Sequence, residues 1–90
     1  MKPNIERALS GGTQRLWYFD NGYGASVVCH AFSYGGGDGL FEMAVLKGTG
    51  DDSRLCYDTP ITDDVIGNLT EGGVQDLLAK IQALPNCNKV

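Results

Sequence analysis

The sequence predicts an α+β domain, in which a four-stranded antiparallel meander carries a C-terminal helix on one of its faces (ββββα). Two patterns predict this class. Residues 15–58 contain short apolar and alternating runs separated by turn residues, whereas residues 71–84 repeat apolar side chains at helical spacing. The connections between the runs are too short to hold a crossover helix, so neighbouring strands should pair antiparallel. Ninety residues allow a single domain over residues 1–90.

The sheet is predicted between residues 15 and 58. Asn21-Gly22 is typical of a hairpin turn between the first two strands, because both residue types tolerate positive φ. The glycine-rich residues 33–39 and the turn-forming residues 48–53 separate the later strands. The four strands are predicted at residues 15–20, 25–32, 40–47 and 54–58.

The main helix is predicted over residues 71–84. Thr70 suits its N-cap, and the proline that follows it ends the helix and leaves residues 85–90 as a tail. Its apolar stripe consists of Val74, Leu77, Leu78, Ile81 and Leu84.

Two shorter segments are also predicted to be helical turns. Residues 3–9, inside an N-terminal segment of residues 1–13, place apolar side chains on one helical face but are too short to be stable alone. Thr62 suits the start of a turn over residues 62–66, the first part of a helical region that covers residues 62–84.

The first predicted strand has apolar side chains on both faces. Leu16 and Tyr18 point to one side, and Trp17 and Phe19 point to the other. One helix can cover only one face of a sheet, and an edge strand leaves backbone groups unpaired. We therefore expect a homodimer, built through the second face or through an edge.

The charge pattern limits the partners. The net charge is −4, and residues 38–76 hold nine acids against two bases. Direct binding to nucleic acid needs clustered lysine and arginine, so this composition argues against it. An acidic segment suits a basic partner, such as a nucleic-acid-binding protein, or serves only solubility.

The cysteines and the hydropathy predict a cytoplasmic protein. Cys29, Cys56 and Cys87 are odd in number and form no CxxC pair, which argues against a disulfide framework. No apolar run is long enough for a membrane span or a signal peptide. Cys87 follows the predicted helix and is either a reactive surface thiol or a small packing residue.

Catalytic, metal and cofactor sites are not predicted. His30 is the only histidine, so a small enzyme would have to pair it with an acid such as Asp20 or Asp58. The glycine-rich residues 33–39 lack the lysine and the following helix of a phosphate loop. The aspartate pairs do not match the spacing of a calcium loop.

Two segments carry a resemblance. Residues 15–28 read RLWYFDNGYGASVV, and residues 55–65 read LCYDTPITDDV. Both segments resemble small uncharacterised proteins of bacteriophages and prophages. The resemblance implies a short phage accessory protein, acting in the host cytoplasm, and implies no activity or site.

The expected function is non-catalytic binding of a host or phage protein, through the aromatic hairpin or the acidic surface. Aromatic side chains and clustered acids are the groups that such a surface would use. The alternative is a small-ligand-binding protein for a nucleotide or metabolite, with its pocket at the helix–sheet or dimer seam near Trp17 and Tyr57. The predicted partner-binding residues are Trp17, Phe19, Tyr23, Tyr34, Asp51, Asp52, Asp63 and Asp64.

Overall fold

In the described part of the chain, an antiparallel sheet of six strands with one α-helix packed on it forms the framework, and this confirms the α+β class. The computed structural model describes residues 1–30, 36–62 and 64–86. Short 3-10 helices cover Gly36–Asp38 and Gly50–Asp52. The larger elements are β1 (Ile5–Leu9), β2 (Gly12–Tyr18), β3 (Tyr23–Cys29), β4 (Phe41–Lys47), β5 (Arg54–Leu55), β6 (Ile66–Leu69) and α1 (Glu71–Gln82).

The sheet has the strand order β1-β2-β3-β4-β5, so consecutive strands are neighbours as the meander predicts. β6 pairs with the same edge of β4 as β5 does, but further towards the beginning of β4. The prediction of four strands was therefore wrong, because β1 and β6 are additional.

The prediction of a helical turn over residues 3–9 was wrong, because this segment forms β1. Ser10 and Gly11 both have positive φ, 50° and 82°, and make the two-residue turn that leads into β2. The hairpin gives the short segment a ladder of backbone hydrogen bonds that an isolated helical turn of this length lacks. The glycines after Leu9 therefore mark a hairpin turn and not a helix end.

The prediction of a helical turn over residues 62–66 was also wrong. The hydroxyl of Thr62 accepts a hydrogen bond from the backbone N–H of Asp64 at 3.0 Å, which closes a local turn. The chain then continues as β6, where Leu69 lies opposite Phe41 of β4. Pairing with a distant strand decides the structure of this segment.

Helix α1 begins and packs as predicted. The side chain of Thr70 accepts a hydrogen bond from the backbone N–H of Gly73 at 3.1 Å, which is the N-cap contact. The helix ends at Gln82, two residues before the predicted end. The core lies between α1 and the sheet face beneath it. Its largest side chains that are at most 1% exposed are those of Trp17, Val27, Met43, Val45, Val74, Leu78 and Ile81.

The opposite side of the sheet is called the open face below, because α1 does not cover it. Every second side chain of β1–β5 lies on this face, as strand alternation and the ladder register require. Its members include Ile5, Arg7, Gln14, Leu16, Tyr18, Ser26, Ala44, Leu46 and Leu55.

Candidate functional site

The open face contains a concave pocket of about 310 Å³. Strands β2, β3 and β4 form its floor, and β1 forms one wall. The other wall is the segment of residues 50–55, which enters through a 3-10 helix and ends in β5. Because most of the lining lies on paired strands, the pocket is preformed.

One end of the floor is polar. Arg7 Nε donates to Gln14 Oε1 at 2.8 Å, and Gln14 Nε2 donates to Ser26 Oγ at 2.9 Å. This chain of hydrogen bonds crosses three strands, because Arg7 lies directly opposite Gln14 and Ser26 lies diagonally across from it. The chain fixes the orientation of the Gln14 amide, with its oxygen towards β1 and its nitrogen towards β3.

The other end of the floor is apolar. Leu16 and Leu46 are 6% and 5% exposed, so their side chains are already packed in the single chain. Tyr18 is half-buried beside them, and Leu55 at the rim is 53% exposed. The floor itself therefore exposes little apolar surface, and the accessible apolar side chains of the pocket are those of Ile5, Tyr18 and Leu55.

The charges in the pocket are two guanidinium groups and one carboxylate. Arg7 lies on one wall, whereas Arg54 and Asp51 lie on the other. Arg54 makes no ion pair with Asp51 or with any other residue that the structure describes. The lining is therefore net positive in a chain whose net charge is −4.

A second, shallower depression lies beside Cys56. The thiol donates to Asp58 Oδ1 at 2.9 Å. Burial, together with this hydrogen bond, raises the pKa of the Cys56 thiol above its ordinary value. A thiol held in its protonated form is a poor nucleophile, so this depression lacks the property that cysteine catalysis needs.

The predicted aromatic surface lies mostly in the core. Trp17 is 1% exposed and Phe19 is 9% exposed, and Tyr23 is half-buried against the same cluster. Trp17 Nε1 is buried and has no hydrogen-bond partner among the described residues. These side chains pack beneath α1, so they stabilise the fold and leave little aromatic surface for a partner. Tyr34 lies outside the described residues.

The predicted acidic residues remain on the surface. Asp51 and Asp52 belong to the 3-10 helix before β5 and are exposed, as is Asp64. Asp63 and Cys87 lie outside the described residues. Within the described part of the chain, no three histidine, cysteine or acidic side chains come together as a candidate metal site.

The acids considered for catalysis lie far from His30. His30 follows the end of β3, whereas Asp20 lies in the hairpin turn before its start. Seven residues of β3 separate the two ends, a distance of roughly 20 Å along a strand. Asp58 follows β5, whose pairing with the last residues of β4 places it near the same hairpin turn. The fold does not assemble either dyad.

The sequence did not predict the polar end of the pocket. Arg7 was placed in a helical turn, and Gln14 was placed before the first strand. Only the pairing of β1 with β2 brings them to one face. The usable signal was the pair Ser10-Gly11, followed by Gly12, between two segments of alternating side chains.

Comparisons of the chain with protein-family models, with curated proteins and with solved structures gave no match. Among the described residues, no helix has the length and apolar character needed to cross a membrane.

Proposed function

We propose that this protein is a non-catalytic binding domain that holds a small organic ligand on the open face of its sheet. The observation that supports this proposal is the pocket of about 310 Å³, which joins a polar end and an apolar end in one concave surface. Small-molecule sites typically combine an apolar lining with a few convergent polar groups. If two copies associate through this face, the pocket lies at the dimer seam.

The groups at the polar end support binding and not chemistry. Gln14 and Ser26 carry no side-chain acid or base, and the guanidinium group of Arg7 only donates hydrogen bonds. None of them is suited to accept a proton from a substrate at neutral pH. They are suited to orient a ligand through hydrogen bonds.

The proposal is tested by titrating the ¹⁵N-labelled protein with AMP, citrate, phenylalanine and decanoate, while recording amide shifts. We expect at least one of them to shift amides of β1, β2 and residues 50–55, and to leave those of α1 unchanged. Ser26→Tyr fills the pocket floor and should abolish the shifts, whereas Ala79→Ser on the exposed side of α1 should not. The proposal fails if no compound shifts these amides, or if the shifts persist in Ser26→Tyr.

A protein partner is the second candidate, because two apolar side chains are exposed beside acidic residues. Leu55 is 53% exposed and Tyr57 is 43% exposed, close in sequence to Asp51, Asp52 and Asp58. Such a surface suits a basic protein. The resemblance to phage accessory proteins adds only that this partner would belong to the host or to a phage.

This second candidate is tested by affinity capture from host lysate with the wild-type chain and with the double variant Leu55→Ser, Tyr57→Ser. A basic, nucleic-acid-binding protein retained by the wild type alone supports it. Equal retention by both proteins, or retention of no basic protein, rejects it.

A further inference from the structure

We infer that the ligand of the open face is an amphipathic carboxylate. Its acid group binds at Arg7, Gln14 and Ser26, and its apolar body lies along β2 against Ile5 and Tyr18. This inference rests on the proposed function, because it names the class of ligand for the same pocket.

The polar end offers mainly hydrogen-bond donors, because its two side-chain acceptor oxygens, Gln14 Oε1 and Ser26 Oγ, each already accept one hydrogen bond. The acceptor oxygen of Gln14 is already bound to Arg7 Nε. The Nη atoms of Arg7, the second amide hydrogen of Gln14 and the hydroxyl hydrogen of Ser26 remain available. An ionised carboxylate accepts hydrogen bonds and donates none, and its two oxygens match the fork of a guanidinium group.

The charge at this end suits a single negative charge. Arg7 is the one charged side chain that lines the pocket from β1, β2 or β3. A carboxylate carries one negative charge at pH 7, whereas a phosphate ester carries about 1.5 to 2. The carboxylate is therefore the closer match.

Arg54 is not expected to bind the acid group. It lines the opposite wall together with Asp51, and β1 and β5 are separated by three strands. At roughly 4.8 Å between neighbouring strands, their backbones lie about 19 Å apart. The carboxylate of Asp51 offsets the positive charge of that wall, so the loss of Arg54 should weaken binding of the acid group less than the loss of Arg7.

The apolar floor begins directly beside the donors. Ser26 lies opposite Leu16 in the ladder, and Leu46 lies opposite Gly24, which has no side chain to fill the floor. From Gln14 to Tyr18 the floor extends about 13 Å along β2. An alkyl or aromatic body can therefore lie along the strand, with its acid group among the donors.

The inference is tested by measuring binding of decanoate, decanol and decyl phosphate to the wild type, Arg7→Gln and Arg54→Gln. We expect the wild type to bind decanoate at least tenfold more tightly than decanol, because charge-assisted hydrogen bonds are the stronger ones. Arg7→Gln should remove about tenfold or more of the decanoate affinity and change decanol affinity by less than about twofold. Arg54→Gln, on the opposite wall, should lower decanoate affinity less than Arg7→Gln does, whereas Lys80→Gln on the exposed side of α1, outside the pocket, is the control and should leave it unchanged.

Each other outcome is informative. Equal binding of decanoate and decanol, or equal losses in the two arginine variants, overturns the inference while the pocket remains a binding site. Tighter binding of decyl phosphate than of decanoate overturns the choice of acid group. Absence of binding by all three compounds overturns the inference. The proposed function is removed as well only if none of AMP, citrate, phenylalanine and decanoate shifts the pocket amides.

If Arg7→Gln does not fold, the pair Gln14→Leu and Ser26→Ala removes donors from the same end of the pocket. This pair should lower the affinity for decanoate and leave the affinity for decanol unchanged.

Discussion

Asn21 is a buried polar residue that joins the first hairpin to the end of α1. Its side-chain nitrogen lies 2.9, 3.2 and 3.0 Å from the carbonyl oxygens of Ile81, Gln82 and Leu84, and it donates to them. Its oxygen accepts from the backbone N–H of Tyr23 at 3.0 Å. Ile81 and Gln82 lie in the last turn of α1, whose carbonyl groups have no partner further along the helix, and Leu84 follows the helix. The Ile81 carbonyl also accepts from the backbone N–H of Leu84 at 3.1 Å. Asn21 therefore acts as a C-terminal cap supplied from a distant turn.

The sequence correctly predicted a turn at this position but not the role of the asparagine. Gly22 has a φ of 86°, whereas Asn21 does not have a positive φ. The N–H of Gly22 donates to the carbonyl of Phe19 at 3.1 Å, which closes a four-residue turn. Local sequence rules could account for the glycine. They could not predict a contact with a helix end 60 residues away.

We expect Asn21→Ala to lower the free energy of unfolding by about 2–3 kcal/mol, because the partly buried carbonyl groups of Gln82 and Leu84 lose their side-chain donor. Asn21→Asp should be at least as destabilising, since a carboxylate cannot donate and faces the negative end of the helix. Urea unfolding followed by circular dichroism measures both changes. Asp20→Ala, in the same turn but exposed, is the matched control and should change stability by less than about 0.5 kcal/mol.

Cys56 should react slowly with alkylating agents. Burial and the hydrogen bond to Asp58 raise the pKa of the thiol, so the reactive thiolate is scarce at neutral pH. Asp58→Asn removes the carboxylate that favours the protonated thiol, so the pKa should fall and alkylation should become faster. Mass spectrometry of iodoacetamide-treated protein over a pH series measures the rate at Cys56. An unchanged rate profile in Asp58→Asn would show that the Asp58 carboxylate does not control this thiol.

At the scale of elements, Arg15 connects β2 to the first turn of α1. Its guanidinium lies 4.7 Å from the ring centroid of Phe41 and 5.6 Å from that of Trp17. It also pairs with Glu71 at 3.2 Å. The hydrogen bond from Arg15 is the largest cause that lowers the pKa of Glu71 below its ordinary value of 4.5.

The sign of this shift predicts how stability depends on pH. Because the pKa of Glu71 is lower in the folded chain, the ionised carboxylate stabilises the fold above pH 4.5, and this contribution is lost as the pH falls through the folded pKa. Glu71 is 55% exposed, so water and salt limit the gain to about 0.5 kcal/mol or less. Glu71→Gln should be slightly less stable than the wild type at pH 7, and the difference should close as the pH falls through the folded pKa of Glu71. Thermal unfolding over a pH series, at low and high salt, measures the difference in stability, and a difference that does not narrow as the pH falls would contradict the assignment.

The elements differ in how far local sequence determines them. Helix α1 was predictable, because Thr70 supplies a cap and the apolar stripe repeats at helical spacing. β2, β3 and β4 were predictable from alternation and turn residues. β1 and β6 were not, since they have five and four residues and obtain their hydrogen bonds from β2 and β4. The polar end of the pocket was missed for the same reason, because it depends on β1.

At the scale of the whole molecule, the open face is more nearly covered than the sequence suggested. The sequence argument was that apolar side chains on the second face need a helix or a partner. Leu16 and Leu46 are nevertheless buried in one chain, because β1 and residues 50–55 rise on either side of them. Ile5 and Leu55 remain 41% and 53% exposed at the two walls. A second copy bound to the open face would therefore bury additional apolar surface only at the rim of the pocket.

The homodimer remains a prediction, and the structure suggests two ways to form it. One is contact between open faces, which would bury Ile5 and Leu55. The other is pairing through β1, an edge strand whose backbone groups on one side have no strand partner among the described residues. Sedimentation velocity of the wild type at several concentrations should show a species of twice the monomer mass.

The double variant Ile5→Ser, Leu55→Ser distinguishes the two arrangements. It removes apolar rim contacts and leaves the backbone of β1 free to pair, so it should give a monomer only if the open faces associate. Because both side chains are partly exposed, the variant should lose no more than about 1 kcal/mol of stability. Decanoate provides a second readout, since a ligand enclosed between two open faces should increase the dimer fraction, whereas one bound to a β1-paired dimer should leave it unchanged. A wild type that sediments as a monomer at every concentration, with and without decanoate, would remove the dimer and leave the open face as a site within a single chain.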